Sequence, residues 1–269
     1  MQEKINKYLQ LLQETTFPYP QFTAEELVDS YNKLCAKDVV KTSNNGLDVV
    51  KQFHKSIWRC NVNNKPSPIE AWRNNDIMSK VIMNRLKYLK TEALSINNLL
   101  TGLSVTKLAP KVSVFRPAMA KYLVKKYLND FSVIFDPCAG FSGRMLGACS
   151  LNKKYIGQDI NSVTILEAKQ IKDFFNLNAE LEIKDSIYDI GKYECLFTCP
   201  PYGNKENWHQ NIEELSADEW ITICIENYKC KRYLFVVDRT EKYRQCVVEE
   251  LYNKSHFSNA KELVILIER

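Results

Sequence analysis

The sequence predicts an α/β fold, a mostly parallel sheet covered by helices on both faces, behind an N-terminal helical region. Three observations lead there. From about residue 112, short apolar runs at 132–135, 155–157, 181–184, 195–198 and 233–237 are separated by connecting segments, most with helical periodicity. Near-continuous apolar runs of that length suit strands buried on both faces, the condition of a parallel sheet under helices. Before residue 112 the pattern is helices and loops instead. Finally, 269 residues at 45% hydrophobic composition can bury a full core and hold one domain with an appendage.

Taken in order, residues 1–16 are amphipathic and polar. Thr23-Ala24-Glu25-Glu26 is a capping box opening a helix with Leu27, Tyr31 and Leu34 on one face. Residues 41–46 form a polar loop. Ser67-Pro68-Ile69-Glu70 is a second capping box, with Pro68 at the favoured first helical position, and its helix is expected to run through Trp72, Ile77, Val81 and Met83 towards Leu89. After the five core runs, 262–267 reads as a final strand, preceded by a shorter candidate around His256 and Phe257. The domain boundary is expected near residue 110, giving 1–110 and 111–269.

Composition narrows the function. No signal peptide opens the chain and no stretch approaches the roughly 20 apolar residues of a membrane span, so a soluble cytoplasmic protein is expected. Nine dispersed cysteines without a Cys-x-x-Cys pair, and three histidines, suit reduced thiols; no metal site is expected. The charge of +5 resides in residues 1–110, with 15 basic and 10 acidic side chains, while 111–269 holds 22 of each. Within 41–90 the count is 10 against 3, which suggests a polyanion partner or, equally, a solvated helical face.

Three motifs carry chemistry, each leaving an apolar run. Phe135-Asp136-Pro137-Cys138-Ala139-Gly140-Phe141-Ser142-Gly143 opens a helix at Arg144. Gly140 and Gly143 let backbone approach a ligand, whose charged tail can meet the helix N-terminus. This is the place where open α/β sheets bind ligands. Asp159 ends the next run, roughly 20 residues beyond the glycine loop, the spacing of an acid that binds ribose hydroxyls rather than only capping a helix. Phe197-Thr198-Cys199-Pro200-Pro201-Tyr202-Gly203 leaves a third run. Its prolines remove N–H donors and leave carbonyls facing outward. The ring of Tyr202 can stack on a base.

Together these motifs resemble the DNA amino-methyltransferases, whose first motif is an Asp/Phe-x-Pro-x-x-Gly-x-Gly-like loop and whose catalytic motif is (Asp/Asn/Ser)-Pro-Pro-(Tyr/Phe). The matches are 136–143 and 199–202, and the resemblance covers residues 112–269. It implies a Rossmann-like class I methyltransferase with a mostly parallel seven-stranded sheet and S-adenosylmethionine as cofactor. Phe115, Arg116 and Pro117, ahead of a helix at 119–127, resemble the segment covering the cofactor's methionine end. By the same resemblance Asp136, Cys138, Ala139, Gly140, Gly143, Asp159, Ile160, Asp185 and Ser186 bind the cofactor. Asp185 would contact its adenine amine, although a helix-capping role suits it as well.

The catalytic set implied is Cys199, Pro200, Pro201 and Tyr202. The family has Asp, Asn or Ser where this chain has Cys199; the Thr-Cys-Pro-Pro-Tyr form is nearest to the Thr-Ser-Pro-Pro-Tyr of cytosine-N4 enzymes. Glu206 and Trp208 match residues that phage-borne methylases carry after the motif, which slightly favours N4 of cytosine over N6 of adenine in a base flipped from DNA. With Tyr202 and Gly203 they form the expected base contacts. Residues 1–110 are the expected DNA-recognition region, with Lys51, Lys55, Arg59, Arg73, Lys80 and Arg85 on phosphates or bases. Partners beyond DNA would be a second copy of the chain or a cognate restriction endonuclease. Asn/Asp-Pro-Pro-Tyr-Gly sequences also occur in guanine-N2 enzymes of RNA, and Gly203 fits that form. A catalytically degenerate nucleic-acid-binding subunit is a third reading.

Overall fold

In the computed structural model the described residues are 2–38, 40–89, 93–201, 206–207, 215–255 and 258–269. The chain forms two compact units, which do not follow the expected boundary near 110. One comprises residues 1–20, 55–113 and 204–210; the other, 21–54, 114–203 and 211–269.

The larger unit holds a seven-stranded sheet among the described residues. Its strands are β1 (Val133–Asp136), β2 (Lys154–Asp159), β3 (Ala179–Ile183), β4 (Cys195–Thr198), β5 (Arg232–Val237), β6 (Val247–Ser255) and β7 (Ser258–Glu268). The spatial order is β6-β7-β5-β4-β1-β2-β3. The neighbours from β5 to β3 pair in parallel, while β7 runs antiparallel to β5 and β6. This is the Rossmann-like methyltransferase order: the chain winds outward from β1 one way, returns to β4, and winds the other. The switch point between β1 and β4 is where such sheets open a crevice for ligands. β4 and the last five residues of β5 are fully buried, which accounts for their apolar sequences. Strand β6 precedes the short candidate at His256 and Phe257, which lies outside the described residues.

Residues 21–54 belong to the sheet unit, contrary to the expected division. The Thr23 capping box is formed, with Thr23 Oγ1 accepting from Glu26 N and Glu26 Oε2 from Thr23 N, and opens α2 (Ala24–Cys35). The buried ammonium of Lys121, on α7 (Pro117–Tyr127), donates to the carbonyls of Leu34 and Ala36, each at 2.6 Å. It thereby satisfies orphan acceptors at the end of α2. Glu249, near the start of β6, accepts from Lys41, Lys126, Tyr122 and Tyr127. Burial alone would push its carboxyl up, but these four donors prevail and hold it at about 2.

The smaller unit is mostly helical: α1 (Gln2–Glu14), α4 (Pro68–Trp72), α5 (Asn75–Leu89) and α6 (Ile96–Val105). The helix expected from Ser67 to Leu89 is two helices. Asn74 starts a new one, its Oδ1 accepting from Ile77 N and its carbonyl from Met78 N. Phe17, Trp58 and Trp72 cluster at its centre, with ring centroids 5.4 and 5.7 Å apart around Phe17. Residues Glu206–Asn207 pair antiparallel with Asn61–Val62 in this unit.

Candidate functional site

The three motifs converge at the carboxyl ends of β1, β2 and β4, anchored by one carboxylate. Asp136 is fully buried. It accepts from Arg144 Nε at 2.6 Å, Tyr155 Oη at 2.7 Å, Thr198 Oγ1 at 2.7 Å and Cys138 N at 3.1 Å. These donors come from the helix after the loop, from β2, from the end of β4 and from the loop itself. Arg144, on α8 (Gly143–Cys149), is itself 4% exposed and also donates to the Cys138 carbonyl. A charge taken this far from water is tolerable only with full pairing. Asp136 therefore braces the loop, and its expected contact with a cofactor gives way to that role.

The two glycines do different work. Gly140 has φ +54°, and a Cβ built on it would find no heavy atom nearer than 3.9 Å, so an open face lies before it. At Gly143 the same Cβ would sit 1.9 Å from the Phe115 carbonyl oxygen. Gly143 thus permits close approach of the 115–117 segment, not of a ligand. Gly147 repeats the device one turn on, against Ala120 of α7. Phe115 also lies under the Arg144 guanidinium at 5.3 Å and edge-on to Phe197 at 5.9 Å.

Asp159 closes the loop from β2. Its Oδ2 accepts from Gly140 N and its Oδ1 from Asn161 N, both at 2.9 Å. Each oxygen retains a lone pair, and the side chain is half-buried. Burial pushes its carboxyl up, and the two amides hold it down less strongly. Ile160 beside it is 45% exposed. Asp185 follows β3, half-buried, with Oδ1 accepting from Ile187 N. That contact closes a turn at 185–188 and caps no helix, because none follows β3 before residue 191. The Ser186 hydroxyl is buried 3.7 Å from Cys138 Sγ, and its carbonyl accepts from Asn227 and Tyr228. Of the expected cofactor contacts, Phe115, Arg116, Cys138, Gly140, Asp159, Ile160 and Asp185 retain exposed surface, whereas Pro117, Asp136, Ala139, Gly143 and Ser186 are buried. The exposed set offers an acceptor for hydroxyls, an apolar face and an open glycine, the donor set a nucleoside cofactor requires.

The catalytic candidates follow directly. Cys199 is half-buried, Pro200 buried and Pro201 exposed, and the charge of Arg144 reaches the Cys199 thiol. Tyr202, Gly203 and Trp208 lie outside the described residues, as does the Glu206 side chain. Lys51 is in the sheet unit, on α3 (Leu47–Phe53), paired with Asp48 at 2.9 Å. Lys55, Arg59, Arg73 and Lys80 are exposed in the helical unit. Arg85 is half-buried, its stem against Gly102 of α6.

Sequence reasoning missed a buried chain in the sheet unit. His54 Nε2 lies 2.7 Å from Ser142 Oγ, and His54 Nδ1 3.2 Å from Glu167 Oε2. A carboxylate only accepts, so Nδ1–H donates to Glu167 and Nε2 is left to accept the serine hydroxyl. Ser142 stands at φ 61°, a left-handed conformation unfavourable for a residue with a Cβ. No motif marks His54, since its partners lie 88 and 113 residues away. Among the described residues no group of three or more His, Cys, Asp or Glu could hold a metal, and no helix is long and apolar enough to cross a membrane.

No protein-family model matches the chain, and no curated protein matches it in sequence. Among solved structures it is similar to TrmN from Thermus thermophilus, at 13% identity over 57% of this chain and 48% of that one, with a TM-score of 0.43. It is also similar to TehB from Haemophilus influenzae, at 13% identity over 62% and 66% of the two chains, TM-score 0.43. A third is a rRNA methylase from Streptococcus thermophilus, at 14% identity over 58% of this chain and 99% of that one, TM-score 0.39. At these scores the likenesses add nothing to what the strand order establishes.

Proposed function

We propose that the protein is an S-adenosylmethionine-dependent methyltransferase acting on an exocyclic amino group of a nucleic-acid base. The observation that carries this reading is the shared anchor: Thr198, immediately before Cys199-Pro200-Pro201, donates to the same Asp136 that roots the glycine loop. Candidate cofactor loop and candidate catalytic turn are thus fixed to one point at the switch of the sheet. Asp159 would receive the ribose hydroxyls, Ile160 the adenine face and Gly140 the open approach. The cofactor supplies a methyl group on a sulfonium, an excellent leaving group, so the protein's task is alignment. Carbonyls freed by Pro200 and Pro201 would accept the hydrogens of the amine and turn its lone pair, while Tyr202 would stack on the base.

Two acceptors fit. The Pro200-Pro201-Tyr202-Gly203 form is shared with guanine-N2 enzymes of RNA, which makes an RNA base the first to assay. The cysteine in place of serine keeps a DNA base, cytosine before adenine, as the second. In labelled-methyl transfer, Tyr202→Ala is expected to lose about 1–3 kcal/mol of transition-state stabilisation, the worth of one stacked base, with calorimetric affinity for S-adenosylhomocysteine unchanged. Tyr202→Phe should retain most of the rate, because stacking needs the ring and not the hydroxyl. Full activity in Tyr202→Ala would remove this motif from catalysis.

A further inference from the structure

The helical unit contains a cleft of about 490 Å³, lined among others by Thr16, Tyr19, Arg59, Ser67, Glu70 and Arg73. That volume falls within the ~300–1,000 Å³ of small-ligand sites. Its chemistry is uneven in an informative way. Arg59 and Arg73 are exposed, and among the described residues neither guanidinium has an ion-pair partner. Among the described residues of the lining, Glu70 carries the only carboxylate. Its Oε2 is taken by Ser67 N at 2.8 Å, Ser67 Oγ at 2.9 Å and Asn61 Nδ2 at 3.2 Å, as the cap of α4. The aromatic component is Tyr19, half-buried, with the Lys55 ammonium 5.6 Å from its ring centroid. Phe17, edge-on to Tyr19 at 5.1 Å, is buried and fixes that ring from behind.

Two unpaired guanidiniums suit a phosphate, which they can meet with forked donors. A fixed tyrosine ring suits the face of a base, and every base has one. A paired base keeps both faces inside its stack, so the occupant that uses ring and guanidiniums together is unpaired. We infer that this cleft binds one unpaired nucleotide of the strand that carries the methyl acceptor, in the helical unit. The inference rests on the nucleic-acid reading above and adds a grip on single-stranded segments, which is indifferent to whether the strand is RNA or DNA.

Fluorescence anisotropy with a short labelled single-stranded oligonucleotide tests it, on the full chain. Arg59→Ala with Arg73→Ala is expected to weaken binding at least about tenfold and to make the slope of log K against log salt shallower by about 1.4, from two contacts at ~0.7 each. Tyr19→Leu should weaken binding at least about fivefold and Tyr19→Phe less than about twofold. Lys7→Ala, exposed on α1 and outside the lining, serves as the control for general charge and should change neither quantity as much. Wild-type affinity and slope in the double arginine variant would overturn the site. A nucleoside monophosphate that binds as tightly as the oligonucleotide would overturn the assignment to a strand. Failure of the functional reading looks different: oligonucleotide binding sensitive to these residues, with no methyl group transferred to any nucleic acid.

Discussion

Asp136→Ala is expected to destabilise the protein by about 3–5 kcal/mol, a large part of the roughly 5–15 kcal/mol that holds a typical domain together. The substitution strands the Arg144 guanidinium, which is 4% exposed, and leaves the hydroxyls of Tyr155 and Thr198 without their acceptor. Breaking a buried pair from one side is far costlier than removing both charges. Asp136→Ala with Arg144→Met should therefore recover most of the loss. Urea denaturation of the single and double variants measures both quantities. A single variant within about 1 kcal/mol of wild type would mean that the carboxylate does not anchor the turn and the loop together. Because both motifs hang on this group, the destabilised variant should lose cofactor binding through the loop and not through a missing ligand contact.

The second large effect is expected at His54. Ser142 adopts a conformation that costs a non-glycine residue about 1–2 kcal/mol, and the hydrogen bond to His54 offsets that cost. With His54→Ala the loop between β1 and α8 should relax, and affinity for S-adenosylhomocysteine should fall about tenfold or more, ~1.4 kcal/mol. Adding Ser142→Gly to that background should restore affinity to within about threefold, because glycine reaches φ 61° without support. Titration calorimetry reads the affinity, and hydrogen exchange of the amides at 137–143 reads the loop itself without any ligand. Failure of Ser142→Gly to rescue would reduce His54 to an ordinary core residue.

What the sequence made legible and what it hid divide along a physical line. The strand-end turns are local: glycines, prolines and an aspartate must follow an apolar run closely to turn the chain at a sheet edge, and all three motifs stand at such ends. The partners of Asp136 are not local. Arg144, Tyr155 and Thr198 lie 8, 19 and 62 residues away and meet only because β1 is flanked by β2 and β4. One signal was present: Arg144 is the lone charge in Gly-Arg-Met-Leu-Gly-Ala-Cys, an otherwise small and apolar helix that leaves it no solvated face. The helix break at Asn74 was readable too, since Asn74-Asn75-Asp76 is a run of capping residues. Strand β6 was obscured by Glu249 and Glu250, acids that depress a strand's hydropathy. Glu249 is tolerated because Lys41 and Lys126 meet it. The boundary near 110 was drawn where helices and loops give way to apolar strand runs, and that change of pattern does not show that the helical segment 21–54 packs with the sheet unit.

The central claim is methyl transfer from S-adenosylmethionine to a base amine, and mass spectrometry of nucleosides tests it most directly. The purified chain is incubated with S-adenosylmethionine carrying a deuterated methyl group, in parallel with RNA and with unmethylated DNA, and each nucleic acid is digested to nucleosides. The expected result is one nucleoside bearing the deuterated methyl on its exocyclic nitrogen, from one of the two nucleic acids, and formed more slowly after Tyr202→Ala by the factor that about 1–3 kcal/mol gives. Label found only on ring carbon, ring nitrogen or ribose oxygen, or on no nucleoside while the chain binds S-adenosylhomocysteine, would contradict the claim.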